Sequence, residues 1–111
     1  MKPTLTRPQR RALRKARATS FPFVVTGFLI DPVIVGTIAL GKIYHHSKAD
    51  PRTGRFVDGH MIHTSWIAGF VEYGGFVVLI TRNSQYACVV SNDEKSALIW
   101  SIQSVPKPTF H

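Results

Sequence analysis

The chain has 111 residues, of which 44% are hydrophobic, and its formal net charge is +8. This length fits one domain with one core and excludes a deep active-site cleft between two domains. Seven of the fourteen Lys and Arg residues, but none of the six acidic residues, lie in residues 1–18, so this segment carries +7 and residues 19–111 carry only +1. Such a local charge run favours a polyanionic partner, either nucleic acid or an anionic membrane surface.

The basic segment predicts a short helix over residues 6–18. Thr6 and Gln9 have the spacing of a capping box, and Pro8 falls in the first turn, where its missing N–H does no harm. The hydrophobic face of this helix is narrow, so it is marginal in isolation and we expect it to form or dock on a partner. The alternative is a solvated, disordered arm that only aids solubility. The cations predicted to contact the partner are Arg7, Arg10, Arg11, Arg14, Lys15 and Arg17.

The next twenty residues, 21–40, carry a single charge and have the layout of a signal anchor. Asp31 falls in the middle of this stretch, where a carboxylate costs about 2.5–3.5 kcal/mol in a membrane, and Pro32 adds a break beside it. Phe, Val, Ile and Thr dominate the stretch, which favours strands. We therefore predict strands over 23–30 and 33–44 with a turn at Asp31-Pro32. A membrane span over 21–40, an export signal and an organelle transit peptide are the alternatives.

The middle of the chain predicts short strands separated by turns. Residues 45–59 form a polar loop, and Tyr73-Gly74-Gly75 predicts a hairpin turn. Strands at this spacing, with glycine-containing turns, indicate a mainly β fold: a small antiparallel, barrel-like sheet, SH3-like or similar. The remaining predicted strands are 61–72, 76–81 and 85–90, with a turn over 82–84.

The C-terminal region predicts either a helix or a sixth strand over residues 92–103, because its apolar run is short. Ser91 and Glu94 have the spacing of a second capping box, which favours the helix. The predicted organisation is a basic N-terminal arm over 1–20, one β-rich domain over 21–105 and a C-terminal tail over 106–111.

Histidines are the candidate metal ligands, since zinc needs three or four converging side chains. On a strand, His60 and His63 point to opposite faces because their spacing is odd. We therefore expect ordinary surface histidines, and neither a metal site nor a cofactor. The alternative site requires the loop to fold tightly enough to bring together His45, His46, Asp50 and Asp58.

The sequence holds no familiar catalytic signature: a P-loop, G-x-S-x-G, H-E-x-x-H and paired C-x-x-C are all missing. We therefore predict a non-enzymatic protein, with a metal-free ribonuclease of the small toxin type as the alternative. Cys88 lies among apolar neighbours, so we predict that it is a small buried hydrophobic residue. A single cysteine without a disulfide fits a reducing compartment, so we expect a bacterial cytoplasmic location.

Further residues add to a predicted nucleic-acid surface. Lys48, Arg52 and Arg55 in the polar loop extend the basic surface. No helix-turn-helix, zinc-finger or RNP pattern is present, so we expect recognition of backbone and shape, not of base sequence. Four aromatic residues either stack on bases or pack in the core, and core packing is favoured for most of them: Phe56, Trp66, Phe70 and Tyr73.

Two blocks of the chain carry a recognisable pattern: the first reads RF.DG..I.TS over residues 55–65, and the second reads T.NS.Y over residues 81–86. Together they resemble small uncharacterised proteins of phages and other mobile elements. In physical terms, Asp58-Gly59 suits a tight turn, and the hydroxyl and amide side chains suit bonds to local backbone. The resemblance implies a shared scaffold and brings small host-takeover proteins, such as anti-CRISPRs, into consideration.

These observations lead to three functional hypotheses. The first is a small phage-type or mobile-element-type protein that binds nucleic acid or a nucleoprotein through its basic arm. The second is an inhibitor of a host defence protein, anti-CRISPR-like, that acts by protein–protein contact. The third is a small membrane-anchored protein with residues 21–40 as its span.

Overall fold

The computed structural model describes residues 5–106. Most of the predicted tail, beyond Pro106, lies outside this range. The mainly β class and the N-terminal helix are confirmed, and the region predicted as helix or strand is a C-terminal helix. In chain order the elements are α1 (Arg7–Ala18), β1 (Gly27–Val35), β2 (Ile38–Tyr44), β3 (Met61–His63), β4 (Ile67–Tyr73), β5 (Phe76–Thr81), β6 (Gln85–Val89) and α2 (Asn92–Gln103).

All six strands form one sheet in the order β3-β2-β1-β6-β5-β4. Neighbouring strands run antiparallel except the central pair, β1 and β6, which is parallel. The predicted antiparallel barrel is therefore wrong: the sheet is mixed and open, with β3 and β4 at its edges. The reason is that two three-stranded meanders join side by side through β1 and β6, a long-range pairing that local sequence patterns do not encode.

Helix α1 packs on one face of this sheet. The predicted capping box is present: the Thr6 hydroxyl accepts a hydrogen bond from the Gln9 N–H at 3.2 Å, and the Gln9 side-chain oxygen accepts one from the Thr6 N–H at 2.8 Å. Leu13 and Ala16 are buried in a cluster with residues of β1, β5 and β6. The narrow apolar face of α1 is therefore covered by the protein's own sheet.

Helix α2 covers the opposite face, where the larger core lies. Leu98 and Ile102 belong to a buried cluster that also contains side chains from five strands, including Cys88 of β6. Cys88 is buried as predicted, and burial raises the pKa of its thiol to about 12. Ser91 occupies the N-cap position of α2 but makes no side-chain capping bond, so the predicted second capping box is not formed.

The predicted turn at Asp31-Pro32 is instead a bulge inside β1. Ile30 pairs with Lys42 and Val33 pairs with Leu40, so two residues of β1 face a single residue of β2. Asp31 has a φ of 46°, a left-handed conformation that Asp tolerates better than most residues. The chain reverses further along, in the turn between β1 and β2, where Gly36 has a φ of 60°.

The predicted strand 61–72 is broken between β3 and β4. The Thr64 hydroxyl accepts a hydrogen bond from the Ala39 N–H at 3.0 Å and donates one to the Ser65 carbonyl at 2.8 Å, which turns the chain out of the ladder. The Gly74-Gly75 hairpin turn is present, with φ values of 60° and 85°. Across residues 5–106, no helix has both the length and the apolar character needed to cross a membrane. Residues 21–40, the proposed span, form an irregular segment with a bend at Pro22-Phe23, then β1 and the start of β2, so the strand predicted to begin at residue 23 begins at Gly27.

Candidate nucleic-acid interface

The outer side of α1 is a continuous basic surface. Its six cationic residues are all exposed, and the helix contains no acidic residue. None of them forms a salt bridge with another residue in the range 5–106. We call this surface the basic helix face: Arg7, Arg10, Arg11, Arg14, Lys15 and Arg17.

Local contacts hold the start of α1 in place. Arg10 donates a hydrogen bond from its guanidinium to the Leu5 carbonyl at 2.8 Å. Gln9 donates a hydrogen bond from its amide nitrogen to a carboxylate oxygen of Asp31, in the β1 bulge, also at 2.8 Å. The carboxylate thus lies near the N-terminus of α1, where the helix dipole favours negative charge.

The polar loop after β2 is ordered around an aromatic stack. The rings of His46 and Phe56 are parallel to within 5°, with their centroids 3.9 Å apart. The Arg55 guanidinium carbon lies over the Phe56 ring, 4.9 Å from its centroid. Phe56 adopts a φ of 56°, which is strained for a bulky residue and persists only where the surroundings enforce it. The loop therefore holds Arg55 in a defined position.

His46, one of the two stacked rings, is a neutral hydrogen-bonding centre. The Lys48 N–H donates to His46 Nδ1 at 2.9 Å, so the neutral imidazole carries its proton on Nε2, which lies 3.5 Å from the Tyr86 hydroxyl oxygen. Burial lowers the pKa of His46, and the charges of Lys48 and Arg55 lower it further.

A polar cleft of about 470 Å³ opens beside the stack. It brings together side chains from the two sequence blocks 55–65 and 81–86. Its walls contain no Asp or Glu. We call it the polar cleft; its lining residues are His46, Lys48, Arg55, Phe56, His63, Thr64, Ser65, Asn83, Ser84 and Tyr86. A second cavity, of about 310 Å³ between β4 and α2, is lined by no charged residue.

The polar cleft and the basic helix face lie on opposite faces of the sheet. Tyr86, in the cleft, belongs to the core on the α2 side. Val89, three residues further along β6, belongs to the cluster that contacts α1. Because side chains alternate along a strand, these two positions point in opposite directions. The two basic surfaces are therefore separate.

Of the three predicted loop cations, Lys48 and Arg55 line the polar cleft, whereas Arg52 is exposed in the loop and does not. His63 lines the cleft together with His46, whereas His60 is exposed outside it, so two of the four histidines of the region share the cleft. Two residues of the alternative metal site contact each other: Asp58 accepts a hydrogen bond from the His45 backbone N–H at 2.7 Å, and the His45 ring nitrogen Nδ1 lies 3.8 Å from the same carboxylate. Residues 5–106 contain no cluster of three or more His, Cys, Asp or Glu side chains able to hold a metal.

The four candidate aromatic residues have different environments. Phe56 is half-buried in the stack with His46, and Phe70 packs against the main core. Trp66 is 47% exposed with the Arg82 guanidinium over its ring, and Tyr73 is 41% exposed beside two phenylalanines. Of these four residues, only Trp66 and Tyr73 therefore present substantial ring surface to solvent.

Sequence reasoning missed the grouping of Ser65, Asn83 and Ser84 with the loop cations. The sequence predicted that these side chains bond to nearby backbone. The structure also shows a bond between the two blocks: the Ser65 hydroxyl accepts a hydrogen bond from the Asn83 N–H at 3.2 Å. The available signal was the recurrence of hydroxyl and amide residues in both blocks of the pattern. Comparisons of the chain with family models, with curated proteins and with solved structures find no match.

Proposed function

We propose that this protein is a non-enzymatic binder of nucleic acid or of a nucleoprotein, of the kind found in phages and mobile elements. The observation that carries the proposal is the basic helix face: six exposed cations and no carboxylate on one 12-residue helix. A helix of this length extends over about 18 Å. Its apolar side is fixed to the sheet, so the charges form a preorganised surface.

The chemistry of this surface suits phosphate more than bases. Lysine and arginine contacts to phosphate supply affinity without sequence information and make that affinity fall steeply with salt. The remainder of the described chain, residues 19–106, has six cations and six acidic residues, so it adds no net charge of its own. Binding should therefore depend on the helix and show little sequence preference.

The direct test is equilibrium binding of the full chain to a labelled 20-base-pair DNA duplex and to a 20-nucleotide RNA. We expect the double variant R11Q/R14Q to bind roughly tenfold more weakly than wild type, since two exposed charge contacts contribute about 1.4 kcal/mol in total. The matched control is R82Q/K95Q, which removes the same charge from a turn and from α2. Equal losses in both variants would show that net charge, and not the basic helix face, determines binding.

A second candidate is an inhibitor that covers a surface of a host protein. The observation in its favour is exposed apolar surface: Trp100, on the helix that covers the face opposite α1, is 70% exposed, and Val24 is 77% exposed. A mainly apolar interface is less sensitive to salt than phosphate binding. Capture of a host protein that survives high salt, and is lost in Trp100→Ser but retained in R11Q/R14Q, would favour this candidate.

A further inference from the structure

The polar cleft concentrates hydrogen-bond donors and positive charge in one place. Arg55 and Lys48 supply the charge, and within residues 5–106 neither forms a salt bridge. The Arg55 guanidinium carbon lies 4.9 Å from the Phe56 ring centroid, so the ring positions this cation at the wall of the cleft. The cleft therefore holds two cations without a carboxylate to neutralise them.

Neutral donors complete the cleft. Ser65 uses its oxygen to accept the Asn83 N–H, so its hydroxyl proton is free to donate. The side chains of Asn83 and Ser84 make no hydrogen bond to other residues in the described range. Tyr86 is approached by the protonated Nε2 of His46, which leaves the phenolic proton available.

We propose that the polar cleft binds the phosphate group of a phosphate ester, with Arg55 and Lys48 as its charge partners and Ser65, Asn83 and Ser84 as neutral donors. A phosphate ester presents up to three oxygens and nearly two negative charges, which matches two cations and several donors better than a carboxylate does. The cleft volume of about 470 Å³ is in the usual range for ligand pockets and exceeds what phosphate alone requires.

This site does not depend on nucleic-acid binding by α1, because the two surfaces lie on opposite faces of the sheet. The phosphate monoester has two chemical sources: a free mononucleotide or the 5′-phosphorylated end of a nucleic-acid strand. The internal phosphodiesters of a strand carry only one charge each, and the probes in the experiment distinguish the two sources.

The experiment is a ¹⁵N NMR titration of the full chain with inorganic phosphate and with adenosine 5′-monophosphate. We expect saturable shifts at the Arg55 side chain and at the Asn83 and Ser84 amides. Arg55→Gln should weaken binding at least tenfold, and Lys48→Gln should also weaken it. The matched control is Arg52→Gln, which removes a neighbouring exposed charge outside the cleft and should change the affinity less than twofold. R11Q/R14Q should bind both probes as wild type does, which separates this site from the basic helix face.

Failure of both probes to give saturable shifts in the cleft would overturn the proposal, as would equal losses in Arg55→Gln and Arg52→Gln. A thermal melt of each variant verifies that it is folded. A thymidine hexanucleotide with and without a 5′-phosphate then identifies the source. Cleft shifts with the 5′-phosphorylated hexanucleotide but not with the unphosphorylated one support the end of a strand as the ligand, and shifts with the mononucleotide alone support a free nucleotide. Equal shifts with both hexanucleotides would overturn the assignment of the cleft to a phosphate monoester.

Discussion

At the scale of single residues, Gly41 shows how one position can depend on a distant bulge. It lies in β2 opposite Asp31 and Pro32, where β1 carries its extra residue. A Cβ atom at this position would lie 3.3 Å from the Pro32 Cα and 3.4 Å from the Ile30 carbonyl oxygen. Both are backbone atoms of a paired strand, so they cannot move aside as a flexible side chain can.

We predict that Gly41→Ala lowers the free energy of unfolding by about 1–3 kcal/mol, the usual cost of overpacking. The matched control is Gly69→Ala in β4, because a Cβ there meets no atom within 4 Å. That substitution should be close to neutral. Chemical denaturation of both variants tests the prediction, and similar losses in the two would show that the bulge does not constrain β2.

His46 provides a pH-dependent contribution at the same scale. Its pKa is lower in the folded protein than the ordinary value of 6.5, because it is buried beside Lys48 and Arg55. As the pH falls below about 6.5, the unfolded chain takes up a proton at this position and the folded chain does not. The stabilisation is therefore complete above that pH and is lost as the pH falls toward the folded-state pKa.

We predict that the difference in unfolding free energy between wild type and His46→Gln shrinks as the pH is lowered from 7.5 to 5.5. Protonation would also remove the acceptor that Nδ1 offers to the Lys48 N–H, which acts in the same direction. Denaturant titrations at several pH values measure this difference. A difference that stays constant across the range would mean that His46 is not held neutral.

Part of this residue-level picture was accessible from the sequence. The capping box at Thr6 and the burial of Cys88 depend on near neighbours in the chain, and both are confirmed. The roles of Gly41 and His46 depend on atoms brought close by the fold. No local pattern could have indicated them.

At the scale of elements, α1 has two sides with different roles: an outer side that carries the cations and an inner side that packs on the sheet. Its cations face solvent, but Leu13 is only 7% exposed and Ala16 is fully buried against the sheet. Removal of residues 1–18 would therefore expose the cluster around Ile30 and Phe76. Charge substitutions on the outer side are the cleaner way to test binding.

We predict that Leu13→Ala lowers the free energy of unfolding by about 2–3 kcal/mol, near the lower end for a buried leucine because one side of Leu13 reaches the surface. The control is Val24→Ala, whose side chain is 77% exposed and should contribute within about 0.5 kcal/mol. Thermal or urea unfolding measures both. A small loss in Leu13→Ala would show that α1 is not docked on the sheet.

The elements themselves were predicted where the signal is local. The Gly74-Gly75 hairpin and the strands on either side of it follow from two glycines that adopt positive φ. The prediction of a turn at Asp31-Pro32 was wrong because this dipeptide also suits a bulge. In the structure, Gln9 of α1 donates a hydrogen bond to the Asp31 carboxylate in that bulge. The break between β3 and β4 depends on the bond from Ala39 to Thr64, a contact across the sheet.

At the scale of the whole molecule, charge and topology give two separate surfaces. The parallel pairing of β1 with β6 joins the two meanders and leaves α1 on one face and α2 on the other. The concentration of positive charge at the N-terminus is visible in the sequence, but the packing of α1 on the sheet is not. The sequence predicted Lys48 and Arg55 as binding residues, but not the cleft that they share with Ser65 and Asn83.

The measurement that tests the central claim most directly is the slope of log Kd against log salt for the 20-base-pair duplex, in wild type and in R11Q/R14Q. If the basic helix face contacts phosphates, each contact adds about one to the slope, so the double variant should have a slope shallower by about two. R82Q/K95Q should retain the wild-type slope. A wild-type slope near zero, or an unchanged slope in R11Q/R14Q, would contradict nucleic-acid binding through α1.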